Sequence, residues 1–281
     1  MLKSFARGAT CAVLVLAASA ATARAESTLV LGIGVGAAPD YTGSDDYEAV
    51  PVPMLKYDWS GTVGSAPASG TKGEIGLIDA SVGFPNGVDI GIARISTPSR
   101  HFTLRLGGGY RSGRDAGDND VLHGMGDIDG QAIARITLAS EPANERGLGI
   151  FYGVKYEADV TDETNGDTFS VYAGDKFALS PKTTLTLTGR TQWADKDYMQ
   201  SYYGVSGAQA ANSGNRRFDA GSGFADVGIE AKLNYAFTDH WLLFGSVGYS
   251  RLLGDASDSP LVDGEGSANQ FRATTGVAYR F

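Results

Sequence analysis

The sequence predicts an all-β chain closed as a transmembrane antiparallel up-and-down β-barrel of about 12 strands. Three observations lead there. The chain is rich in Gly, Tyr and Phe, with 39, 13 and 12 of each, which suits strands separated by turns. Long stretches alternate apolar and polar residues with a period of two, the pattern of strands with unlike faces. Charged residues recur along the polar faces, and charge left dry and unpaired is costly, so those faces need water. A soluble sandwich is the competing architecture, because a second sheet would also cover the apolar faces.

The first 25 residues read as a secretory leader. Lys3 and Arg7 form a basic start, Ala9 to Ala20 a short apolar stretch, and Ala23-Arg24-Ala25 a small-residue cleavage site. The mature chain is then one barrel domain over residues 26–281, exported from the cytoplasm and, as a strand-built barrel, bound for an outer membrane. No apolar run of about 18 residues occurs after the leader, so a membrane is crossed by strands or not at all. The one cysteine, Cys11, lies in the leader, which leaves the mature chain without disulfides, thiolate metal sites or a thiol nucleophile. The formal net charge is −9, and cleavage removes three more cations, Lys3, Arg7 and Arg24. An acidic balance of this size argues against a nucleic-acid partner.

Alternation begins at Thr28, with Leu29, Leu31, Ile33 and Val35 set against Val30, Gly32, Gly34 and Gly36. The glycines loosely match a nucleotide-binding spacing, but no amphipathic helix follows them, so the stretch is read as a strand. Tyr47 to Trp59 resumes the pattern, and Pro51 and Pro53 imply irregular or one-sided pairing there because proline donates no ladder hydrogen bond. Ser60 to Lys72 reads as a connection. Ile75 to Phe84 and Val88 to Ile95 form a hairpin around Pro85-Asn86-Gly87, where Asn-Gly is a strong turn signal. Phe102 to Arg111, Ala132 to Leu138, Leu148 to Tyr156, Phe169 to Leu179 and Leu185 to Trp193 follow as strands. Asp226 to Phe237 is the clearest, with Val227, Ile229, Ala231, Leu233, Tyr235 and Phe237 opposite Asp226, Gly228, Glu230, Lys232 and Asn234. Trp241 to Leu252 and Gln270 to Phe281 complete the set.

Connection lengths give an independent test, since outer-membrane barrels alternate short periplasmic turns with longer outer loops. Ser180-Pro181-Lys182 and Thr238-Asp239-His240 are short on the expected side. Ser112 to Asp127, Ala194 to Gly223 and Leu253 to Asn269 are long on the other. Ser60 to Lys72 is too long for its side and Pro85 to Gly87 too short, so the N-terminal half carries the irregularity.

On the inward face the alternation places Glu48, Lys56, Asp58, Asp89, Arg105, Arg111, Arg135, Lys155, Glu157, Arg190, Glu230, Lys232, Arg272 and Arg280. These are either a self-paired ionic network filling the lumen or the lining of a polar pore, and a barrel of about 12 strands has room for both. Trp59, Trp193, Trp241 and the strand-end tyrosines read as interfacial girdles. Of three histidines, His101 and His240 sit at strand edges and only His123 lies in a loop with acids, near Asp118, Asp120, Asp127 and Asp129. No G-x-S-x-G elbow is present. The clusters Asp115/Asp118/Asp120 and Asp127/Asp129 fail the EF-hand spacing, and read as an acidic loop able to share divalent cations with lipopolysaccharide. No catalytic residue, cofactor or dedicated metal site is expected.

Several segments resemble the MipA/OmpV family of Gram-negative outer-membrane proteins. They are Gly34-Val35-Gly36-Ala37-Ala38-Pro39-Asp40-Tyr41 with Gly43-Ser44-Asp45-Asp46-Tyr47, and Gly126-Asp127-Ile128-Asp129-Gly130. Further on come Trp193-Ala194-Asp195 leading into Tyr198-Met199-Gln200-Ser201-Tyr202-Tyr203-Gly204-Val205, then Tyr249-Ser250-Arg251-Leu252-Leu253-Gly254-Asp255-Ala256 and Tyr279-Arg280-Phe281. The resemblance implies a non-enzymatic outer-membrane barrel acting as a scaffold for a murein-degrading lytic transglycosylase and a murein synthase. The alternative it carries is a porin-like channel for small polar solutes. It also implies contact with lipid and lipopolysaccharide, and a C-terminal aromatic signal, Tyr279 and Phe281, read by the barrel-assembly machinery. Deleting Phe281, or replacing it with Ser, is therefore expected to lower the amount of barrel in outer-membrane fractions. Unchanged, heat-modifiable barrel in those fractions would refute the role.

Overall fold

The computed structural model describes residues 26–63, 73–84, 87–161 and 166–281. The leader, residues 64–72 of the expected connection and Pro85-Asn86 of the expected turn lie outside the described residues. Twelve strands follow one another: β1 (Glu26–Pro39), β2 (Tyr47–Val63), β3 (Gly73–Phe84), β4 (Gly87–Ser96), β5 (Arg100–Arg111) and β6 (Gln131–Pro142). The second half comprises β7 (Gly149–Asp159), β8 (Thr168–Ser180), β9 (Thr183–Ala194), β10 (Gly223–Ala236), β11 (Trp241–Leu252) and β12 (Asn269–Arg280). Each pairs antiparallel with its sequence neighbours, and β1 pairs with β12 to close the ring. The barrel is therefore up-and-down, as its sequence predicts.

Closure satisfies the backbone. In hydrocarbon no water relieves an unpaired N–H or C=O, so a spanning sheet has to have no edge. At the closing seam Val30 faces Arg280 and Ala37 faces Ala273, and the Phe281 N–H donates to the Leu29 carbonyl at 2.9 Å. No helix among the described residues is long and apolar enough to cross a membrane.

The two faces separate as the alternation requires. Ile33, Val35, Ile229 and Val247 are each more than 60% exposed on the outer face, a surface that only lipid suits. At the end carrying the short connections, hereafter the turn end, the outer aromatics form a chain. Phe237 stacks on Trp241 at 6.4 Å, Trp241 meets Tyr279 edge-on at 5.1 Å, and Tyr279 meets Phe281 at 4.7 Å. Such rings suit the level where lipid headgroups meet hydrocarbon.

The N-terminal half is where the alternation slips. Between Ile75 and Asp79 the β3–β4 register shifts, and between Gly91 and Ala93 the β4–β5 register shifts again. Each bulge changes which side of the sheet later residues face. Asp79 and Arg94 consequently point into the lumen, where a strict period of two would not place both. The pairing of β2 at its prolines is one-sided, as expected: Pro51 and Pro53 face Val35 and Ile33 of β1 in continuous register, while the described β2–β3 pairs run only from Leu55 to Val63.

Glycine on the inner wall is a packing requirement. A Cβ on Gly107 would lie 2.3 Å from an Asp89 carboxylate oxygen and 2.5 Å from the Val88 carbonyl. Gly107→Ala is expected to destabilise the barrel by about 1–3 kcal/mol through overpacking. A lowered urea midpoint for the refolded protein would register it; an unchanged midpoint would count against the tight fit.

Candidate functional site

The inward charges form two clusters on the β3–β7 wall. In the first, Asp79 accepts from both Arg94 and Arg105, Arg94 also donates to Thr103 Oγ1 at 3.2 Å, and Arg105 approaches Glu141 at 3.7 Å. In the second, Arg135 bridges Asp89 and Glu157, both at 2.9 Å, and Lys155 joins Glu157 at 2.9 Å. Across the lumen Arg190 pairs with Asp226 at 2.8 Å and Lys232 lies 3.7 Å from Glu230. Pairing lets the charges sit on a narrow wall without each needing a full hydration shell.

One placement rule recurs. Arg105 faces Gly91 in register, Arg135 faces Gly107, Arg190 faces Gly228 and Arg272 faces Gly248. A bare residue beside each arginine leaves space for a guanidinium to lie over the neighbouring strand. In the two clusters it reaches a carboxylate one strand further on, since Asp79 also pairs with Gly91 and Asp89 with Gly107. The sequence identified these arginines, but Asp79, Arg94 and Glu141 were missed. For Arg94 the bulge after Gly91 hides the signal, while Asp79 keeps the phase of Ser81 and Gly83 and could have been found from the outward Val82 and Phe84. Glu141 keeps the phase of Arg135 and could have been found by extending that alternation to the strand end.

At the opposite, loop end the long connections fold into helices and pack together. The segment after β9 folds into α1 (Lys196–Tyr203) and α2 (Gly207–Ser213), and the segment after β11 into α3 (Asp255–Asp258) and α4 (Pro260–Asp263). Asp195 caps α1 by accepting from the Tyr198 N–H at 2.8 Å. Ser206 and Gln209 form a reciprocal capping box on α2. Met199, Tyr203, Ala220, Ala225, Ala256 and Val262 pack into one buried cluster, while Tyr41, Leu122, Met125, Val205 and Leu261 form a second. Ala225 enters the first because a bulge between Phe224 and Asp226 turns it inward.

The cap is bonded both to the barrel and across its loops. Arg111, at the top of β5, donates to the Gly166 carbonyl at 3.1 Å and stacks over the Tyr198 ring at 5.0 Å. Arg114 donates to the Tyr202 carbonyl at 3.2 Å. The Tyr41 hydroxyl donates to the Leu261 carbonyl at 2.8 Å, and Ser259 to the Tyr203 carbonyl at 2.6 Å. Burial, reinforced by Asp45, pushes the Tyr41 phenol up to about 12. Burial does the same to Tyr198, also to about 12, and raises Tyr203 well above its usual value. Burial draws the Arg114 guanidinium down.

The remaining candidates stay separate. His123 is exposed and closes a 3₁₀ turn, Asp120–Leu122, through its backbone N–H to the Asp120 carbonyl. Asp115 and Asp127 accept from the backbone N–H groups of Gly117 and Ala116, both at 2.8 Å, which shapes their own loop. Among the described residues no group of three His, Cys, Asp or Glu side chains is placed to hold a metal. Ser96 and His101 meet at 2.8 Å in the lumen near the turn end. Glu141 faces His101 in register, but its carboxylate approaches Arg105 instead. The turn-end residues Glu230, Lys232 and Arg280 line the lumen below the clusters, and Arg280 faces Val30 across the seam.

Residues 31–281 match the family described as MltA-interacting protein MipA. The chain belongs to that family. Among its relatives, the MltA-interacting protein of Escherichia coli strain K12 is 25% identical over 172 residues, 61% of this chain and 65% of that protein. The putative outer membrane protein YiaT of the same strain is 31% identical, over 44% of this chain and 48% of YiaT. The matched region thus spans just under two thirds of the first relative and about half of the second. Among solved structures, Pseudomonas putida OprB covers 92% of this chain and 94% of its own, at 11% identity and a TM-score of 0.41. As a MipA-family barrel the protein resides in the outer membrane.

The buried phenols give the cap a measurable signature. An unfolded tyrosine ionises near pH 10, whereas Tyr41 and Tyr198 are held neutral to about 12. A raised folded-state value favours the neutral form, so this contribution to stability is complete below about pH 10 and lost as pH rises through about 12. At about pH 11 the folded barrel should show less phenolate absorbance than the unfolded chain. Equal absorbance with the barrel still folded would refute the buried cap.

Proposed function

We propose that this chain is a non-enzymatic outer-membrane barrel that docks murein-remodelling enzymes, a lytic transglycosylase and a murein synthase among them, through its turn end. The observation that carries this reading is the packed loop cap. Tyr203, Met199 and Leu261 are almost completely buried at the mouth where a general diffusion pore would be open. With packed loops at that end, the short turns and turn-end rim offer the working surface. The name of the Escherichia coli relative, MltA-interacting protein, agrees with a role in binding a murein enzyme. The turn end then faces the periplasm and the capped loops face outward toward lipopolysaccharide. Tyr279 and Phe281, packed together on the outer face beside the closing seam, serve as the signal to the barrel-assembly machinery.

A porin-like channel is the second reading, favoured by the charges on the inner wall. In it Arg105, Arg135, Arg190, Glu230, Lys232, Arg272 and Arg280 would set selectivity for small polar solutes. The paired state of most of these charges favours a structural role and hence the first reading.

Two measurements separate them. Refolded barrel immobilised as bait is expected to enrich a lytic transglycosylase or a murein synthase from a periplasmic extract, and to give no stable conductance steps in planar bilayers. Failure to enrich either enzyme, together with regular conductance steps, would overturn the docking reading in favour of the channel.

A further inference from the structure

The turn end of the lumen holds a hollow of about 440 Å³, bordered by Arg146, Lys182 and Arg280 with Asn234, Thr184 and Leu242. Glu145 is the one carboxylate on its border, against those three cations. That balance is unusual for a chain whose formal net charge is −9. We propose that this hollow is a binding site for a small organic oxyanion, a carboxylate or phosphate carried on a short apolar group, entering from the turn end.

The cations are held in place by backbone contacts that leave their charge available. The Arg280 backbone is fixed on both sides: its N–H donates to the His240 carbonyl at 2.7 Å, and its carbonyl meets His240 Nδ1 at 2.9 Å. Among the described residues its guanidinium has no ion-pair partner. Lys182 spends one proton on the Phe237 carbonyl at 3.3 Å. Lys176, from the inner face of β8, donates to the Arg146 carbonyl at 3.2 Å, which ties the β6–β7 turn beside the hollow. An oxyanion would receive charge-assisted hydrogen bonds here, and a guanidinium can supply two to one carboxylate or phosphate.

The rest of the surroundings suits an apolar tail. Leu242 borders the hollow and packs against the buried cluster of Val30, Phe244 and Ala278. Gly276 lets the Phe244 ring lie flat on β12, since a Cβ there would meet the ring at 2.5 Å. A cationic rim beside an aliphatic wall recognises an amphipathic anion and gives a neutral analogue nothing in exchange for its desolvation. This site stands apart from the docking reading, because its test involves no partner protein.

The test uses the refolded full-length barrel in uncharged detergent micelles, titrated calorimetrically with hexanoate, hexyl phosphate and hexanamide. At least one anion should bind saturably, hexanamide should not bind over the same range, and added salt should weaken binding. Arg280→Gln should weaken anion binding by about tenfold or more, the loss of one bidentate charged contact. Because Arg280 lies beside the closing seam, the turn variants Arg146→Gln and Lys182→Gln, combined, decide the matter should Arg280→Gln fail to fold by its heat-modifiable gel shift. The relative affinities of hexanoate and hexyl phosphate identify which oxyanion the site favours. No saturable binding of either anion, equal binding of hexanamide, or unchanged affinity in the folded variants would overturn the proposal.

Discussion

Everything in this protein depends on the pairing of β1 with β12. A sheet in hydrocarbon cannot leave a row of backbone N–H and C=O groups open, so an unclosed edge would cost more than side-chain packing could recover. Closure fixes the rest. It makes one face of every strand outer and the other inner, so the apolar set from Leu31 to Val277 meets lipid while charge collects within. It also fixes a lumen lined with charge and too polar to be dry.

The inner wall answers that second constraint by matching arginine with glycine. A strand residue opposite a guanidinium has to be small or the cation cannot lie down to reach an acid, and Gly91 and Gly107 fill that place for the Asp79 and Asp89 pairs. The same economy of bulk appears at the seam, where Gly34 faces Gly276 and a Cβ on Gly34 would lie 2.4 Å from the Thr275 carbonyl. The lumen is thus lined by ion pairs on facing walls and by close backbone approach at the seam. Above it, the cap meets the wall through Arg111 and Tyr198.

The strand count, the closure and the sidedness of β10, β11 and β12 were legible because, after the bulge at Ala225, nothing interrupts their period of two. In β3 and β4 the extra residues at Ile75 to Asp79 and Gly91 to Ala93 break the alternation within each strand, so a phase carried forward from Ile75 turns Asp79 outward, whereas one carried back from Val82 and Phe84 turns it inward. The expectation of long outer loops was sound, whereas their packing into helices was not read. Short helices such as Gly207–Ser213 form through caps and tertiary burial rather than through a periodicity that seven residues can display. The signals were nonetheless present, in Asp195 before Tyr198 and in Ser206 before Gln209. The cationic hollow was out of reach because it joins residues 146, 182 and 280, which only the ring brings together.

The bonds from Tyr41 to Leu261 and from Gly43 to Gln270 span 220 and 227 residues of chain. They link the loop after the first strand to the stretch that leads into the last, and so run directly over the seam. Both bonds join groups that the β1–β12 pairing brings side by side. The loop packing therefore depends on the seam: a barrel open along β1 and β12 would present Tyr41, Leu261 and Gln270 to solvent, and the closed one hides them. Chain topology thereby turns loop packing into a proof of assembly, written on the loop-end surface.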